Sequence, residues 1–228
     1  MSAPPRSHPL VEGPRVAVVD DEESTRRAIA RLITSAGFEV CAFESAQQFL
    51  DSPERGRVSC VLADLMMPGM NGLELQQKLA ATEPHLSVVF ISGHGDVPSA
   101  TGAMKGGAVD FLEKPFRRAS LIEALDRAIK RTGGLKAAAQ QFGELRTRYE
   151  NLTPREREVF ALVTAGLLNK QIASELGAAE KTIKQHRGRV MQKMEAESLA
   201  ELVLMAERLG VRGSGDFARA RGRRAPSS

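Results

Sequence analysis

Asp20 and Asp21 directly follow an apolar run, Val16–Val19, and Asp64 ends a second, Val58–Ala63. Ser92 closes a third run, Ser87–Ile91, and Lys114, followed by Pro115, comes just after a fourth, Val109–Leu112. If these runs are strands of one parallel sheet, all five side chains reach the same edge, where such sheets bind ligands. Three carboxylates converging there cannot all stay ionised without a cation between them. A hard divalent ion with oxygen ligands, Mg2+ above all, is the natural occupant. A carboxylate so placed can attack phosphorus and form an acyl phosphate. The cation and the Lys114 ammonium would neutralise the phosphoryl oxygens as charge shifts. The Ser92 hydroxyl would donate a hydrogen bond to the transferred group. One acidic pair after a strand is commonly a solvated turn, but the ordered set of Asp-Asp, Asp, Ser and Lys-Pro, each ending a different run, is far more specific.

The elements that must position these residues are legible in the apolar pattern. A further run, Phe38–Ala42, makes five, and amphipathic segments near 24–36, 45–51, 71–82, 97–106 and 118–131 alternate with them. Five strands alternating with five helices read as an α/β doubly wound five-stranded parallel sheet. Thr132-Gly133-Gly134 is expected to break the last helix, and residues 135–150 to be helical again. Leu135, Phe142 and Tyr149 there are seven apart, with Ala138, Leu145 and Leu152 in a second seam, too short a run for a coiled coil. It packs on its own chain or against a second copy.

From residue 151 the strand signal is gone and the pattern is that of a small all-α four-helix domain. Thr153 as N-cap, Pro154 at the first position and Glu156 completing a capping box open a helix that Gly166 ends. A second helix, Asn169 to Leu176, stops at Gly177. A third, from Glu180 to about Met194, turns Ile183, Val190, Met191 and Met194 inward and carries Lys181, Lys184, Arg187, Arg189 and Lys193 against one acid, Glu180. A basic helix after a tight turn reads as the recognition helix of a helix-turn-helix, entering the DNA major groove. Leu199, Leu202, Val203, Met205, Ala206 and Leu209 mark a fourth.

Two families are resembled. Val-Val-Asp-Asp-Glu-Glu (18–23), Ala-Asp-Leu-Met-Met-Pro-Gly-Met-Asn-Gly (63–72), Ile-Ser-Gly-His-Gly-Asp-Val (91–97) and Gly-Ala-Val-Asp-Phe-Leu-Glu-Lys-Pro-Phe (107–116) resemble the flavodoxin-like receiver domain of two-component response regulators. The resemblance implies that Asp64 is the phosphoacceptor. It implies that Asp21, Asp64 and the Met66 backbone carbonyl ligate Mg2+ and that Asp20 acts through a water. Ser92 is then the switch hydroxyl, Phe111 the switch aromatic and Lys114 the phosphate-contacting lysine, with a cis bond before Pro115. Leu-Thr-Pro-Arg-Glu-Arg-Glu-Val (152–159), Gly-Leu-Leu-Asn-Lys-Gln-Ile-Ala-Ser-Glu-Leu-Gly (166–177) and 181–194 resemble the LuxR/NarL-type DNA-binding domain, and the whole chain resembles the FixJ/NodW branch of that group. Lys184 and Gln185 then face bases, a lysine suited to G and a glutamine to A, while Lys181, Thr182, Arg187 and Lys193 contact phosphates. Two positions depart from the pattern: Gln185 stands where many relatives have Val, and Ala179 where a Ser usually caps the recognition helix.

The division expected is an arm over 1–13, a receiver over 14–131, a helical linker over 132–150, the DNA-binding domain over 151–211 and a basic disordered tail over 212–228. The net charge of +4, from 32 basic and 28 acidic residues, reports mainly that tail, where five arginines face Asp216. No signal-peptide pattern or apolar run of spanning length is present. Cys41 and Cys60 read as buried reduced thiols, and His8, His85, His94 and His186 are too scattered for a metal site. The expected protein is a cytoplasmic transcription regulator without a membrane partner, phosphorylated by a histidine kinase and binding double-stranded DNA. Phosphorylation would either form a homodimer or free the DNA-binding domain. An aspartate-based phosphatase is disfavoured because Met66, two residues after Asp64, offers no acid or base; slow self-dephosphorylation is all that is expected.

Overall fold

A computed structural model describes residues 13–93 and 97–211. Residues 1–12 of the arm expected over 1–13, His8 among them, together with His94 and the tail 212–228, lie outside the described residues. The chain divides into two compact units, one ending at Lys136 and the other beginning at Ala137.

In the first unit the strands are β1 (Arg15–Val19), β2 (Glu39–Phe43), β3 (Cys60–Asp64), β4 (Ser87–Ser92) and β5 (Asp110–Glu113), and all pair parallel in the order β2-β1-β3-β4-β5. The helices between them are α1 (Glu23–Ser35), α2 (Ala46–Asp51), α3 (Gly72–Thr82) and α4 (Val97–Lys105), and α5 (Arg118–Glu150) follows β5. The order reverses between β1 and β3, which puts the crevice for a ligand at their carboxyl ends. Residues of β3 and β4 are buried without alternation because helices cover both faces. One face packs Val19, Phe43, Val61 and Phe90 against Phe49, Leu75, Leu79 and Ala103 of α2, α3 and α4. The other packs Val16, Val18, Leu62 and Ile91 against Ile29 and Ile33 of α1 and Leu121, Ala124, Leu125 and Ala128 of α5. Cys41 and Cys60 are free thiols, Cys60 buried and Cys41 half-buried.

The expected break at Thr132-Gly133-Gly134 does not occur: α5 continues through it. Glycine costs a helix interior about 1 kcal/mol relative to alanine but does not forbid it. Neither glycine has positive φ, and a Cβ on either would meet nothing within 4 Å. Tertiary contacts hold the helix on both sides. Thr132 is buried and its Oγ1 accepts a hydrogen bond from the Ser87 N–H at 3.0 Å, and further along Leu145 is buried in the second unit's core. That burial also removes Leu145 from any exposed seam, leaving Leu135 and Phe142 outward.

The second unit contains α6 (Pro154–Thr164), α7 (Asn169–Leu176), α8 (Glu180–Met194) and α9 (Leu199–Leu209). Its core gathers Leu145, Leu152, Val159, Phe160, Ile172, Ile183, Val190, Met194 and Leu202. Tyr149 meets Phe160 edge-on at 5.3 Å between ring centres, a favoured aromatic geometry. Among the described residues no helix is long and apolar enough to cross a membrane.

Candidate functional site

The carboxyl ends of β1 and β3 bring Asp20, Asp21 and Asp64 together, with one carboxylate oxygen of each within 4.8 Å of the others. Asp20 is fully buried, Asp64 is 8% exposed and Asp21 is exposed. Burial, helped by the neighbouring Asp64 charge, pushes the Asp20 carboxyl above its ordinary range, against the pull of Lys114 and the Glu22 N–H. Lys114 crosses from the end of β5 and its Nζ donates to Asp64 Oδ2 at 2.7 Å and Asp20 Oδ2 at 2.9 Å. Burial works against its charge, but these two carboxylates outweigh that and keep the ammonium above its ordinary value. The remaining oxygens accept from backbone: Asp20 Oδ1 from the Glu22 N–H at 2.9 Å and Asp64 Oδ1 from the Met66 N–H at 3.0 Å. Clustered oxygen donors, two held and one open to solvent, suit a hard cation such as Mg2+.

The loop after Asp64 is shaped by close approach. A Cβ on Gly72 would lie 2.6 Å from the Asp64 carbonyl oxygen and 2.8 Å from Phe90, so only glycine fits there. Gly69 has φ +77°, in the left-handed region. Asn71 then caps α3 in a reciprocal box with Glu74, both bonds 2.9 Å. Ser92 is fully buried at the end of β4, paired in register with Glu113 of β5. Lys114 donates its N–H to the Ser92 carbonyl at 2.8 Å, and the Lys114–Pro115 bond is cis. Phe111 is half-buried on the α2/α3/α4 face, and the Met66 side chain points to solvent.

In the second unit Thr153 accepts the Glu156 N–H at 3.3 Å while Glu156 accepts the Thr153 N–H at 2.9 Å, the capping box read from the sequence. Neither helix of the helix-turn-helix has a side-chain cap. At α8 the cap position is Ala179; at α7 it is Leu168, whose own N–H donates to Gln171 Oε1. Lys181, Thr182, Lys184 and Gln185 stand exposed on the first half of α8. Arg187 is half-buried and donates to Asn169 Oδ1 at 3.3 Å. Lys193, expected as a phosphate contact, also has partners within the domain: its Nζ donates to Glu156 Oε2 at 2.6 Å and to the Asn151 carbonyl at 3.3 Å. Burial disfavours the Glu156 charge, but Lys193 and Thr153 together hold the carboxyl below its ordinary value. Sequence reasoning missed this pair because its members are 37 residues apart and each already had another explanation. It also missed Arg155, which donates to the Leu176 carbonyl at 2.7 Å and ties α6 to the end of α7.

Residues 16–126 match the family of response regulator receiver domains, and residues 150–206 match the luxR family of bacterial regulatory proteins. Nodulation protein W of Bradyrhizobium diazoefficiens is 47% identical over 196 residues, covering 86% of each chain. The transcriptional regulatory protein FixJ of Rhizobium meliloti is 43% identical over 191 residues, covering 84% of this chain and 94% of the relative. Among solved structures, response regulator StyR superposes with a TM-score of 0.75 at 42% identity, covering 86% of this chain and 99% of that one. Full-length FixJ from B. japonicum gives a TM-score of 0.52 at 41% identity, over 86% and 97% of the two chains. With an acidic pocket at the switch point of its sheet and a basic helix-turn-helix later in the sequence, this chain belongs to the response regulators that join a receiver to a LuxR-type DNA-binding domain, a family of phosphorylation-controlled transcription regulators.

Proposed function

We propose that Asp64 accepts the phosphoryl group and that its phosphorylation controls dimerisation, promoter binding, or both. The observation that carries this reading is the convergence of Asp20, Asp21, Asp64 and Lys114 at one strand edge. An Asp64 carboxylate oxygen attacks the phosphorus of a kinase phosphohistidine, and the P–N bond breaks with the electron pair leaving on the histidine nitrogen. Asp21, Asp64 and the Met66 carbonyl would hold Mg2+, with Asp20 acting through a water. When bound, the ion neutralises charge on the transferring phosphoryl oxygens. Lys114, already in contact with Asp64, shifts its hydrogen bond to a phosphoryl oxygen. Ser92 donates its hydroxyl to the product, and Phe111 turns inward beside it. The new charge thus biases a two-state surface over α4, β5 and the start of α5.

In the second unit Lys184 and Gln185 read base edges, while Lys181, Thr182 and Arg187 contact phosphates. Lys193 fastens α8 to α6 through Glu156. The protein works in the cytoplasm, where the kinase's phosphohistidine and the promoter are both accessible. It turns over no external substrate, and the acyl phosphate is lost by slow hydrolysis. Intact mass after incubation with acetyl phosphate and Mg2+ tests the phosphoacceptor. One phosphoryl group on the wild type and none on Asp64→Asn is expected. Equal incorporation in the variant would reassign the site.

A further inference from the structure

Arg26 lies in the first turn of α1 and is half-buried. Its Nη1 donates to the backbone carbonyl of Asp20 at 2.7 Å. The Asp20 N–H donates to the Phe43 carbonyl at 3.2 Å, and both Asp20 carboxylate oxygens are engaged, by Glu22 and Lys114. The carbonyl held by Arg26 belongs to the peptide that joins Asp20 to Asp21. Rotation of that peptide would swing the exposed Asp21 carboxylate away from the other two. A cation in the first turn of a helix opposes the helix dipole, so α1 itself gains nothing from Arg26 there.

We propose that Arg26 is a positioning residue for the cation site, clamping the Asp20–Asp21 peptide so that Asp21 stays within reach of Asp20 and Asp64. This rests on the reading of the pocket as a Mg2+ site. The clamp and a plain charge effect have opposite signs. As a charge, Arg26 repels Mg2+, and removing it tightens binding; as a clamp, removing it loosens binding.

Calorimetric titration of Mg2+ into the full chain separates the two. Arg26→Gln is expected to raise the dissociation constant about tenfold, the usual effect of losing an outer-shell partner. Arg26→Lys, which keeps the charge and one donor, should fall between. The unfolding midpoint in the absence of Mg2+ should move by no more than a few degrees, as loss of one hydrogen bond allows, so a tenfold loss of Mg2+ affinity could not come from unfolding. An Arg26→Gln constant that is unchanged or tighter overturns the clamp. Should that variant not fold, Arg26→Lys decides, with weakened binding expected and no change overturning the idea. A wild type that binds no Mg2+ would remove the cation reading of the pocket, and the clamp with it.

Discussion

In the receiver, the residues that meet at the pocket are numbered 20, 21, 64 and 114, drawn from the ends of three strands. In the helix-turn-helix domain, the exposed set occupies 181–185 on one helix. The receiver pocket exists only while the sheet holds its register, and nearly every polar group in it has a partner. The basic face of α8 needs only that α8 stays helical, and it begins without a side-chain cap. What depends on long-range order there is the support rather than the face: Glu156 and Lys193 bolt α8 to α6 beneath it. The pocket should therefore be intolerant of small backbone changes, while the DNA-facing surface should tolerate them until its support is cut.

The sharpest way to break this contrast is Gly72→Ala. The added Cβ would meet backbone at 2.6 Å, so the loop after Asp64 must move. A loss of about 3 kcal/mol in folding stability is expected, together with slowed phosphorylation. Gly106→Ala is the control. Its Cβ meets the end of the Gln76 side chain and not backbone; Gln76 is buried and bonded to the Ala103 carbonyl, so a cost remains, but it should be smaller. Stability of both by urea titration checks this, and equal losses would count against the contrast.

Next comes Lys193→Met, which leaves Glu156 buried and unpaired. Because Lys193 is itself 37% exposed, the loss should be about 2 kcal/mol, below that of a fully buried pair. The salt dependence of DNA binding should not change. Lys181→Ala should instead leave stability alone and lower the salt slope by about one unit. The pair also sets an acid response. The folded Glu156 carboxyl lies below its ordinary 4.5, so its contribution is present above 4.5 and is lost as pH falls through the depressed value. The stability gap between wild type and Glu156→Gln should therefore close on acidification. The smallest effect expected is from Ala179→Ser, which supplies the missing cap of α8 and should stabilise by about 1 kcal/mol, read as a raised unfolding midpoint.

Much of the receiver was legible in advance because each site residue ends or closely follows an apolar run, and a parallel sheet sends all those ends to one edge. Thr153, Pro154 and Glu156 were legible for a different reason: capping is local, and their partners lie within one helical turn. The sequence reading failed at Gly133-Gly134, where local propensity was outweighed by Thr132 bonded to Ser87 and by Leu145 buried in the next core. The pairing of Lys193 with Glu156 was not legible either. The periodicity of α8 marks which residues are polar, but not which polar residue turns back toward α6. Gly72 shows in the sequence only as the last residue of the 63–72 stretch; that its hydrogen sits against the Asp64 carbonyl appears only in three dimensions. Arg26 carried no sequence signal, since its acceptor is a backbone carbonyl.

The claim on which the rest depends is that chemistry at Asp64 governs DNA binding. The most direct measurement is the affinity of the full chain for a DNA site selected from random sequence, with and without beryllofluoride and Mg2+, which stand in for the phosphoryl group. Tighter binding by the wild type, and no change for Asp64→Asn, is the expected result. Equal affinity of the wild type in both conditions, or an equal response from Asp64→Asn, would contradict it.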